Sequence, residues 1–435
     1  MKFKKTAGFL ALLIALLSAV GCQSSNPPGG VVTDPAATSE EQTLPDEGNQ
    51  PPIDFSAAYR SSTYVVKNII ELQRVKGLKH GDTVLLQGYY LSNDGGGGFF
   101  YWDETSEAEV NNGTVFSNGE AVGRFIREHS PDYVNVKWFG AVGNGTNDDV
   151  QYIQNAIDSL PKTGGTVWMP GGTYRISKPL HIGDGDAANK HSSVNGIKLI
   201  GEGGGFASQG EQRPTKLSVL APMETVIYVN GKISDVVLQD FYIAGNQIAT
   251  GGVMLSSISG LTMTDVAMGD FKEWGIKIIG GTGVGTENKM NRFETVSVFA
   301  TKPGTICVYM DGGNTGNPGN SMTTFVDCRF DTAQQENAFA IWIRNTTGAD
   351  FYRCHFNTYK KSSVGLVLDA TGCDGYPHSN VFYDCSILSV VVKEDDTGYI
   401  GNNFFFGYGT YDLEALPDHP KLKGITDTGL PFHLS

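Results

Sequence analysis

The stretch Leu238-Gln-Asp-Phe-Tyr-Ile243 decides the fold, because the same pattern of apolar and polar residues returns five more times along the chain. The copies are Met263–Met268, Phe293–Val298, Phe325–Phe330, Phe351–Phe356 and Phe382–Ile387. Their first positions differ by 25, 30, 32, 26 and 31 residues. A unit that returns at this spacing is typical of a solenoid, in which each turn stacks on the last. We expect one strand per copy, with side chains alternating between core and solvent.

A second strand follows the repeat in four turns. These strands are predicted within Gly275–Ile278, Cys307–Asp311, Ala340–Arg344 and Gly365–Asp369. Glycine and asparagine at the corners between strands would permit the positive φ angles that sharp bends need. Glycine makes up 56 of the 435 residues, and we expect corner positions to explain most of this excess.

The cysteines follow the same repeat. Cys328, Cys354 and Cys385 occupy the fourth position of their copies, which predicts an inward row of small buried apolar side chains. With Cys307 and Cys373 they make five cysteines beyond Cys22, without a C-x-x-C spacing. An odd number without that spacing predicts neither a disulfide framework nor a zinc site.

A separate block lies upstream, over residues 134–182. Phe139-Gly-Ala is followed by Gly-Asn-Gly, by the pair Asp148 and Asp149, and by apolar residues at helical spacing up to Pro161. We expect the two aspartates to cap this helix, where its positive end favours carboxylates. Gly164–Tyr174 predicts two short strands around a Pro-Gly turn.

This block resembles the pectate-lyase-like superfamily of right-handed parallel β-helices, which contains phage tailspike depolymerases and many secreted polysaccharide-degrading proteins. Asn144 stands where the shared Gly-Asp-Gly pattern has Asp. The Gly88-Tyr-Tyr motif and the four glycines at 95–98 look like the cap that precedes the block in relatives. The resemblance implies an all-β chain, with a small β-rich cap domain over 58–130 and a right-handed parallel β-helix over 131–435.

The N-terminus has the pattern of an export signal over residues 1–21, with three lysines before the apolar run Ala7–Val20. The segment that ends at Cys22 resembles a bacterial lipobox, which implies that Cys22 is lipidated and that Gln23 directs the protein to the outer membrane. Residues 22–57 are rich in proline and acids, so we expect a disordered tether. The predicted location is therefore the outer membrane or cell surface.

The formal charge of −14 argues against nucleic acid as a partner, because a polyanion is repelled. The charge is uneven, since residues 272–361 hold ten Lys and Arg against eight Asp and Glu. Such a cationic window suits an acidic polysaccharide. We therefore expect an exported polysaccharide-degrading enzyme whose partner is that polymer.

The repeat supplies the predicted catalytic residues. They are Asp327, Arg329, Arg353, His355 and Asp384. In a lyase, a base removes the proton α to a uronate carboxylate, a cation neutralises that carboxylate, and an acid protonates the leaving oxygen. We assign His355 as base or acid, the two arginines as neutralisers, and Tyr309 or Tyr359 as the acid.

The second strand supplies the predicted substrate-binding residues. They are Lys277, Tyr309, Asp311, Trp342 and Arg344. Tyr309 and Trp342 fall on one outward row, which predicts an aromatic shelf for the C–H face of a sugar ring.

Three alternatives to the lyase stay open. A glycoside hydrolase would use two carboxylates; Asp327 and Asp384, or Asp311 and Asp369, are two turns and so ~9.6 Å apart. Further carboxylate candidates are Asp270, Asp331 and Glu336. A C5-epimerase shares the first step of the lyase, and a non-catalytic glycan-binding surface protein would use these charges as cross-strand ladders. No metal site or cofactor is predicted, although calcium is not excluded, and the sequence leaves the oligomeric state open.

Overall fold

The computed structural model describes residues 53–54, 63–183, 194–204, 214–280, 287–313, 319–373, 377–396, 398, 400–406 and 422–423. All of them belong to one compact unit, residues 41–435. The predicted export signal and Cys22 lie outside the described residues. No helix among the described residues is long and apolar enough to cross a membrane.

A small mixed sheet opens the described chain. Its strands, in spatial order, are Thr63–Val66, Thr83–Leu86, Gly98–Asp103, Arg124–Arg127 and Val115–Phe116. A helix over Ile69–Arg74 packs Ile69 and Leu72 into the apolar core of this sheet. Ile53–Asp54 pairs in parallel with Val75–Lys76, so a strand already forms inside the region predicted to be a tether.

The rest of the described chain winds through three parallel sheets, which confirms the predicted β-helix. The first sheet contains Tyr133–Asn135, Gly165–Trp168, Ile197–Ile200, Val237–Gln239, Thr262–Thr264, Arg292–Glu294, Thr324–Val326, Asp350–Tyr352, Val381–Tyr383, Asn403–Phe406 and Leu422–Lys423. The second contains Asn144–Asp148, Gly172–Ile176, Thr215–Val219, Tyr242–Ala244, Ala267–Gly269, Ser297–Phe299, Arg329–Asp331, His355–Asn357 and Ser386–Ile387. The third contains Leu180–Gly183, Thr225–Ser234, Gly251–Ser259, Trp274–Ile279, Asn288–Lys289, Ile306–Asp311, Asn320–Ser321, Phe339–Arg344, Thr346–Thr347, Val364–Asp369 and Val390–Lys393.

Each copy of the repeat is two short strands joined by a corner, so the prediction of one strand per copy is wrong. The third residue of each copy has a positive φ: Asp240 (61°), Asp265 (51°), Thr295 (52°), Asp327 (53°), Arg353 (52°) and Asp384 (52°). The N–H of each corner residue donates to a carbonyl of the next turn, at 2.8–3.2 Å. These bonds satisfy the backbone at the bend and hold adjacent turns in register.

Glycine therefore explains less of the bending than predicted. None of the six corners between the first and second sheets is a glycine. Aspartate occupies four of them, because its short polar side chain tolerates the left-handed conformation better than most. In the corner before the first sheet, Gly260 and Gly348 occupy two turns and Met290 and Met322 the two turns between them, all with positive φ.

The interior is a stack of aligned side chains. The rings of Phe293, Phe325, Phe351, Phe382 and Phe405 follow one another with centroids 4.5–4.8 Å apart and planes within 11° of parallel. Cys328, Cys354 and Cys385 are fully buried beside them with free thiols. The prediction that these cysteines are small apolar core residues is confirmed.

The upstream block contains the predicted helix, Val150–Asp158. Asp149 stands at its N-cap, but its side chain makes no capping bond. The fully buried carboxylate instead accepts the backbone N–H groups of Val142 (2.6 Å) and Gly143 (3.1 Å). Asp148 accepts the N–H of Val150, so only one aspartate of the predicted pair caps the helix.

Burial of Asp149 makes stability depend on pH. Desolvation raises the pKa of Asp149 from 3.8 to about 6, so the folded protein holds this proton more tightly than the unfolded chain. The resulting stability is present in full below pH 4 and is lost as the pH rises through 6, by about 3 kcal/mol. In pH-dependent thermal unfolding, we expect wild type to lose this amount relative to Asp149→Asn between pH 4 and 7. The control is Asp148→Asn, which should follow the pH profile of wild type. Parallel pH profiles of wild type and Asp149→Asn would contradict this expectation.

Candidate functional site

The third sheet carries two in-register rows of side chains that alternate with core residues such as Val308 and Met310. Row A is His181, Tyr228, Met254, Lys277, Tyr309, Trp342, Val367 and Val391. Row B, two residues further along each strand, is Gly183, Asn230, Ser256, Ile279, Asp311, Arg344, Asp369 and Lys393. Adjacent members of a row belong to adjacent turns and lie ~4.8 Å apart. All five predicted substrate-binding residues fall on these two rows.

Asp311 is the centre of a hydrogen-bonded network between the two rows. Its Oδ2 accepts the Tyr309 hydroxyl at 3.1 Å, and its Oδ1 accepts Arg344 Nη1 at 3.0 Å and the N–H of Gly313 at 2.9 Å. The side chains of Asp311 and Arg344 are 21% and 16% exposed. Partial burial strengthens this charged contact, because less water screens it.

Tyr309 is held in its neutral form. Burial raises its pKa well above the usual range, and the adjacent negative charge of Asp311 and the hydrogen bond to it raise the pKa further. For Arg344, burial opposes the positive charge, but the carboxylate of Asp311 keeps the pKa above its ordinary value. At neutral pH the site therefore contains a protonated phenol beside a paired carboxylate and guanidinium.

Asp369 organises the next turn in a similar way. Its Oδ2 accepts the indole N–H of Trp342 at 3.0 Å, and its Oδ1 accepts the backbone N–H and the hydroxyl of Thr371 at 3.0 and 2.6 Å. Each carboxylate thus uses one oxygen to shape the chain after its strand and the other to orient an aromatic residue.

The two aromatic rings of the predicted shelf are neighbours, but they are not coplanar. The planes of Tyr309 and Trp342 lie at 78° with centroids 6.2 Å apart. Lys393 Nζ lies 4.0 Å from the centre of the Trp342 ring, and Lys277 Nζ lies 5.9 Å from that of Tyr309. The rings therefore position two ammonium groups by cation–π contact. This face of the third sheet therefore carries an ammonium group beside each of the two rings.

The predicted catalytic residues lie elsewhere, on the second sheet and on the corner before it. Arg329 and His355 are in-register neighbours, as predicted. Arg329 bonds Asp331 (Nη2 to Oδ2, 2.6 Å), which is 3% exposed, and Tyr359 donates to the same oxygen at 3.4 Å. His355 is exposed.

At the corner, Arg353 forms a two-pronged ion pair with Asp327, both bonds at 2.7 Å. The Arg353 hydrogen bonds hold the pKa of Asp327 below its usual range. Both side chains are about half exposed, at 57% and 43%. Asp384 occupies the corner one turn further on, so the predicted order of the three residues is confirmed, but from corners rather than from a strand face.

The predicted catalytic and binding sets are thus on different sheets. The sequence analysis placed the residues of both sets on alternating strand faces. In the structure, Asp327 and Arg353 lie at the corner before the second sheet rather than on it, and the binding set lies on the third sheet. Lys277, Tyr309, Asp311, Trp342 and Arg344 form one group of contacting side chains, the third-sheet cluster. Lys393 belongs to the same cluster through its contact with Trp342, and the sequence analysis missed it. Val390–Lys393 continues the alternation of Val364–Asp369 one turn later, so the sequence contained the signal that could have predicted Lys393.

Among the described residues, no group of three or more His, Cys, Asp and Glu has the geometry to hold a metal ion.

Two family models match the chain. Residues 65–130 match the phage tail protein small four-stranded β-sheet domain, and residues 133–215 match the rhamnogalacturonase A/epimerase, pectate lyase-like family. The second match confirms the resemblance inferred from the Phe139-Gly-Ala block.

Curated relatives match only short segments. The mannuronan C5-epimerase AlgE4 of Azotobacter vinelandii is 47% identical over 75 residues, which are 17% of this chain and 13% of the epimerase. Alginate lyase 7 of the same organism is 43% identical over 72 residues, 16% of this chain and 8% of the lyase. Plasmin and fibronectin-binding protein A of Streptococcus pneumoniae is 30% identical over 102 residues, 22% and 14% of the two chains. The chain therefore spans less than a sixth of the length of each.

Solved tailspikes share the fold over most of the chain. The capsular polysaccharide depolymerase gp49 of Acinetobacter baumannii bacteriophage Fri1 superposes with a TM-score of 0.61 at 14% identity, covering 80% of this chain and 66% of the tailspike. Tailspike protein 2 of bacteriophage CBA120 gives 0.52 at 15% identity, covering 79% and 51%. The protein thus has the parallel β-helix fold of these tailspikes, and its residues 133–215 match the pectate lyase-like family.

Proposed function

We propose that this protein is an exported enzyme that cleaves an acidic polysaccharide by β-elimination at the third-sheet cluster. The observation that carries the proposal is the Tyr309 hydroxyl bonded to Asp311, with Arg344 on the same carboxylate, Lys277 over the Tyr309 ring and Lys393 over the neighbouring Trp342 ring. The similarity to an alginate lyase and to mannuronan epimerases supports an acidic polymer as the substrate class.

The cations would bind the uronate carboxylate. Neutralising it lowers the cost of removing the α-proton, because negative charge develops towards the carboxylate in the transition state. Lys277 and Lys393 form no ion pair with any residue that the structure describes, and aromatic rings hold both ammonium groups in place. Lysines fixed in this way lose little conformational freedom when they bind an anion.

The Tyr309–Asp311 pair would move the proton. As the Tyr309 oxygen takes the α-proton, its own proton passes to Asp311, and the C–H electron pair forms the new double bond while the glycosidic C–O bond breaks. The proton then returns through Tyr309 to the leaving oxygen. Tyr309 stays neutral throughout, as its raised pKa requires.

A glycoside hydrolase that uses the same face of the third sheet is less well supported than the lyase. Asp311 and Asp369 are two turns apart in row B, ~9.6 Å by strand spacing, at the upper limit for inversion. However, all four of their oxygens accept hydrogen bonds from the protein. A nucleophile or base needs an oxygen free for water or sugar.

Two other functions share this fold. An epimerase would return the proton to the opposite face of the same carbon, and the epimerase relatives favour this alternative. A binding protein without catalysis is favoured by the similarity to a plasmin- and fibronectin-binding protein. The second-sheet group around His355 remains the alternative catalytic centre.

The deciding experiment incubates the protein without its leader with alginate, polygalacturonate and bacterial capsular polysaccharides. We expect ultraviolet absorbance from the unsaturated uronate. New reducing ends without that absorbance would indicate a hydrolase, and a changed epimer ratio without chain cleavage would indicate an epimerase. Retention on the polymer without any reaction would leave only the binding protein.

We also propose that Cys22 carries a lipid that anchors the enzyme to the outer membrane or cell surface. The support is the export signal and the small residues before Cys22. We expect Cys22→Ser to move the protein from the membrane fraction to the soluble fraction of the cell envelope. An unchanged distribution would refute the anchor.

A further inference from the structure

Rows A and B continue well beyond the proposed catalytic cluster. Towards the N-terminus, row A places Met254, Tyr228 and His181 at one-turn intervals from Lys277, and row B runs beside it with Ser256 and Asn230. Strand spacing puts Tyr228 ~14 Å from Tyr309. One solenoid turn is close to the length of one pyranose unit, so a polymer along the rows meets one turn per sugar.

The far end of this stretch is built from groups that hydrogen-bond. The rings of His181 and Tyr228 stack at 5.3 Å with their planes 12° apart. Because they stack from turn to turn, their polar edges rather than their faces line the surface. The Tyr228 hydroxyl donates to Glu224 at 2.8 Å, and neither Tyr228 nor His181 is fully buried.

Asn230 gives an independent sign of a ligand. Its side-chain Oδ1 is shielded from solvent and has no hydrogen-bond partner in the structure. An acceptor left in this way costs free energy, because it has lost its water without gaining a donor. Asn230 as a whole is only partly buried, so a turn of its amide towards the surface beside Tyr228 would bring this oxygen to a sugar hydroxyl, which would supply that donor.

The opposite end of row A offers nothing similar. Beyond Trp342, row A continues as Val367, which is fully buried, and Val391. Row A is therefore apolar beyond Trp342, whereas on the N-terminal side of Tyr309 it continues to the polar side chains of Tyr228 and His181.

We propose that His181, Tyr228 and Asn230 form a distal subsite, which binds the hydroxyl groups of a sugar about three sugar units away from the cleaved bond. This inference rests on the proposed function and adds a substrate requirement, namely a polymer long enough to reach both places. The enzyme accordingly cuts within chains and uses short oligosaccharides poorly.

The test compares wild type with Tyr228→Ala and Asn230→Ala on alginate, or on whichever polymer of the panel is cleaved, and on its oligosaccharides too short to span three turns. We expect KM for the polymer to rise about tenfold in each variant, the loss from one or two hydrogen bonds. We expect kcat on the polymer and all constants for the short oligosaccharides to stay unchanged. Tyr228→Phe keeps the stack but loses the hydroxyl together with its bond to Glu224, so a raised polymer KM with unchanged thermal unfolding in this variant separates sugar contact from structural support.

The matched control is Tyr383→Ala, which removes a tyrosine that is 45% exposed on the first sheet. Unchanged polymer KM in the Tyr228 and Asn230 variants would refute the subsite and leave the proposed function intact. Equal losses on polymer and short oligosaccharides would also refute it, because they would indicate a structural role. Wild type that neither cleaves nor is retarded by alginate, polygalacturonate or capsular polysaccharide in native gels would refute both.

Discussion

Tyr309→Phe is expected to lower turnover of the cleaved polymer by about 10²- to 10⁴-fold, the range for loss of a positioned acid or base. The substitution removes one oxygen and keeps the ring that Lys277 contacts. Asp311 retains its bonds to Arg344 and Gly313, so the network persists without its transferable proton. Steady-state kinetics should show the loss in kcat, with KM nearly unchanged, because Tyr309 contributes to the reaction rather than to carboxylate binding.

The matched variant is His355→Ala on the second sheet. His355 is exposed, so its removal leaves no cavity, and we expect turnover to stay within about twofold of wild type. The opposite result, a full loss with His355→Ala and an active Tyr309→Phe, would move the catalytic centre to the Arg329 side of the solenoid. Normal thermal unfolding of both variants would exclude misfolding as the cause.

The repeat was visible in the sequence because a solenoid places equivalent residues in equivalent surroundings. The bend inside each copy was also encoded, and the prediction passed over it. Leu238 to Phe241 is a step of three, whereas Phe241 to Ile243 is a step of two, and all three side chains are buried. A strand cannot bury residues three apart on one face, so the odd step marks the left-handed residue, Asp240.

The candidate site was predictable only in part. In-register stacking put Tyr309 beside Trp342 and Asp311 beside Arg344, because parallel strands at a constant repeat leave one alignment. The ring orientations were not predictable, since they depend on which carboxylate oxygen accepts the indole or phenol, and on lysines from neighbouring turns. The prediction that Arg353 projects from a strand face was wrong for another reason. Arg353 is itself the corner residue, so its side chain belongs to neither of the two sheets that the corner joins.

The overall charge of −14 is a poor guide to this surface. Asp311 and Asp369 are saturated by protein donors, whereas Lys277 and Lys393 rest on aromatic rings. An approaching polyanion would therefore meet ammonium groups first, even on a chain that is acidic as a whole. Long-range repulsion slows the encounter, and salt should relieve it.

Arg127→Met is expected to destabilise the N-terminal sheet by about 3–5 kcal/mol, because three buried carbonyl oxygens would lose their hydrogen-bond donor. Arg127 is 3% exposed. Its Nε donates to the carbonyl of Gly113 at 3.0 Å, Nη1 to Gly97 at 2.7 Å and Nη2 to Gly96 at 2.8 Å. Its guanidinium also lies 4.5 Å from the ring centre of Phe100 and 4.7 Å from that of Trp138. One side chain thus joins the four-glycine turn and the start of the β-helix.

Methionine fills similar volume but cannot donate, so three carbonyls would lose their partner in a site closed to water. Arg124 on the same strand is the control, because it also donates to three carbonyls, those of Ala108, Ala121 and Gly123, but in largely exposed positions. We expect Arg124→Met to cost less than about 1 kcal/mol, since water replaces those bonds. Urea unfolding followed by tryptophan fluorescence measures both variants, and equal midpoints would contradict the role assigned to Arg127. If the four-glycine turn and the N-terminal sheet unfold in one step, Arg127→Met should also unfold faster than wild type, in addition to having a lower urea midpoint.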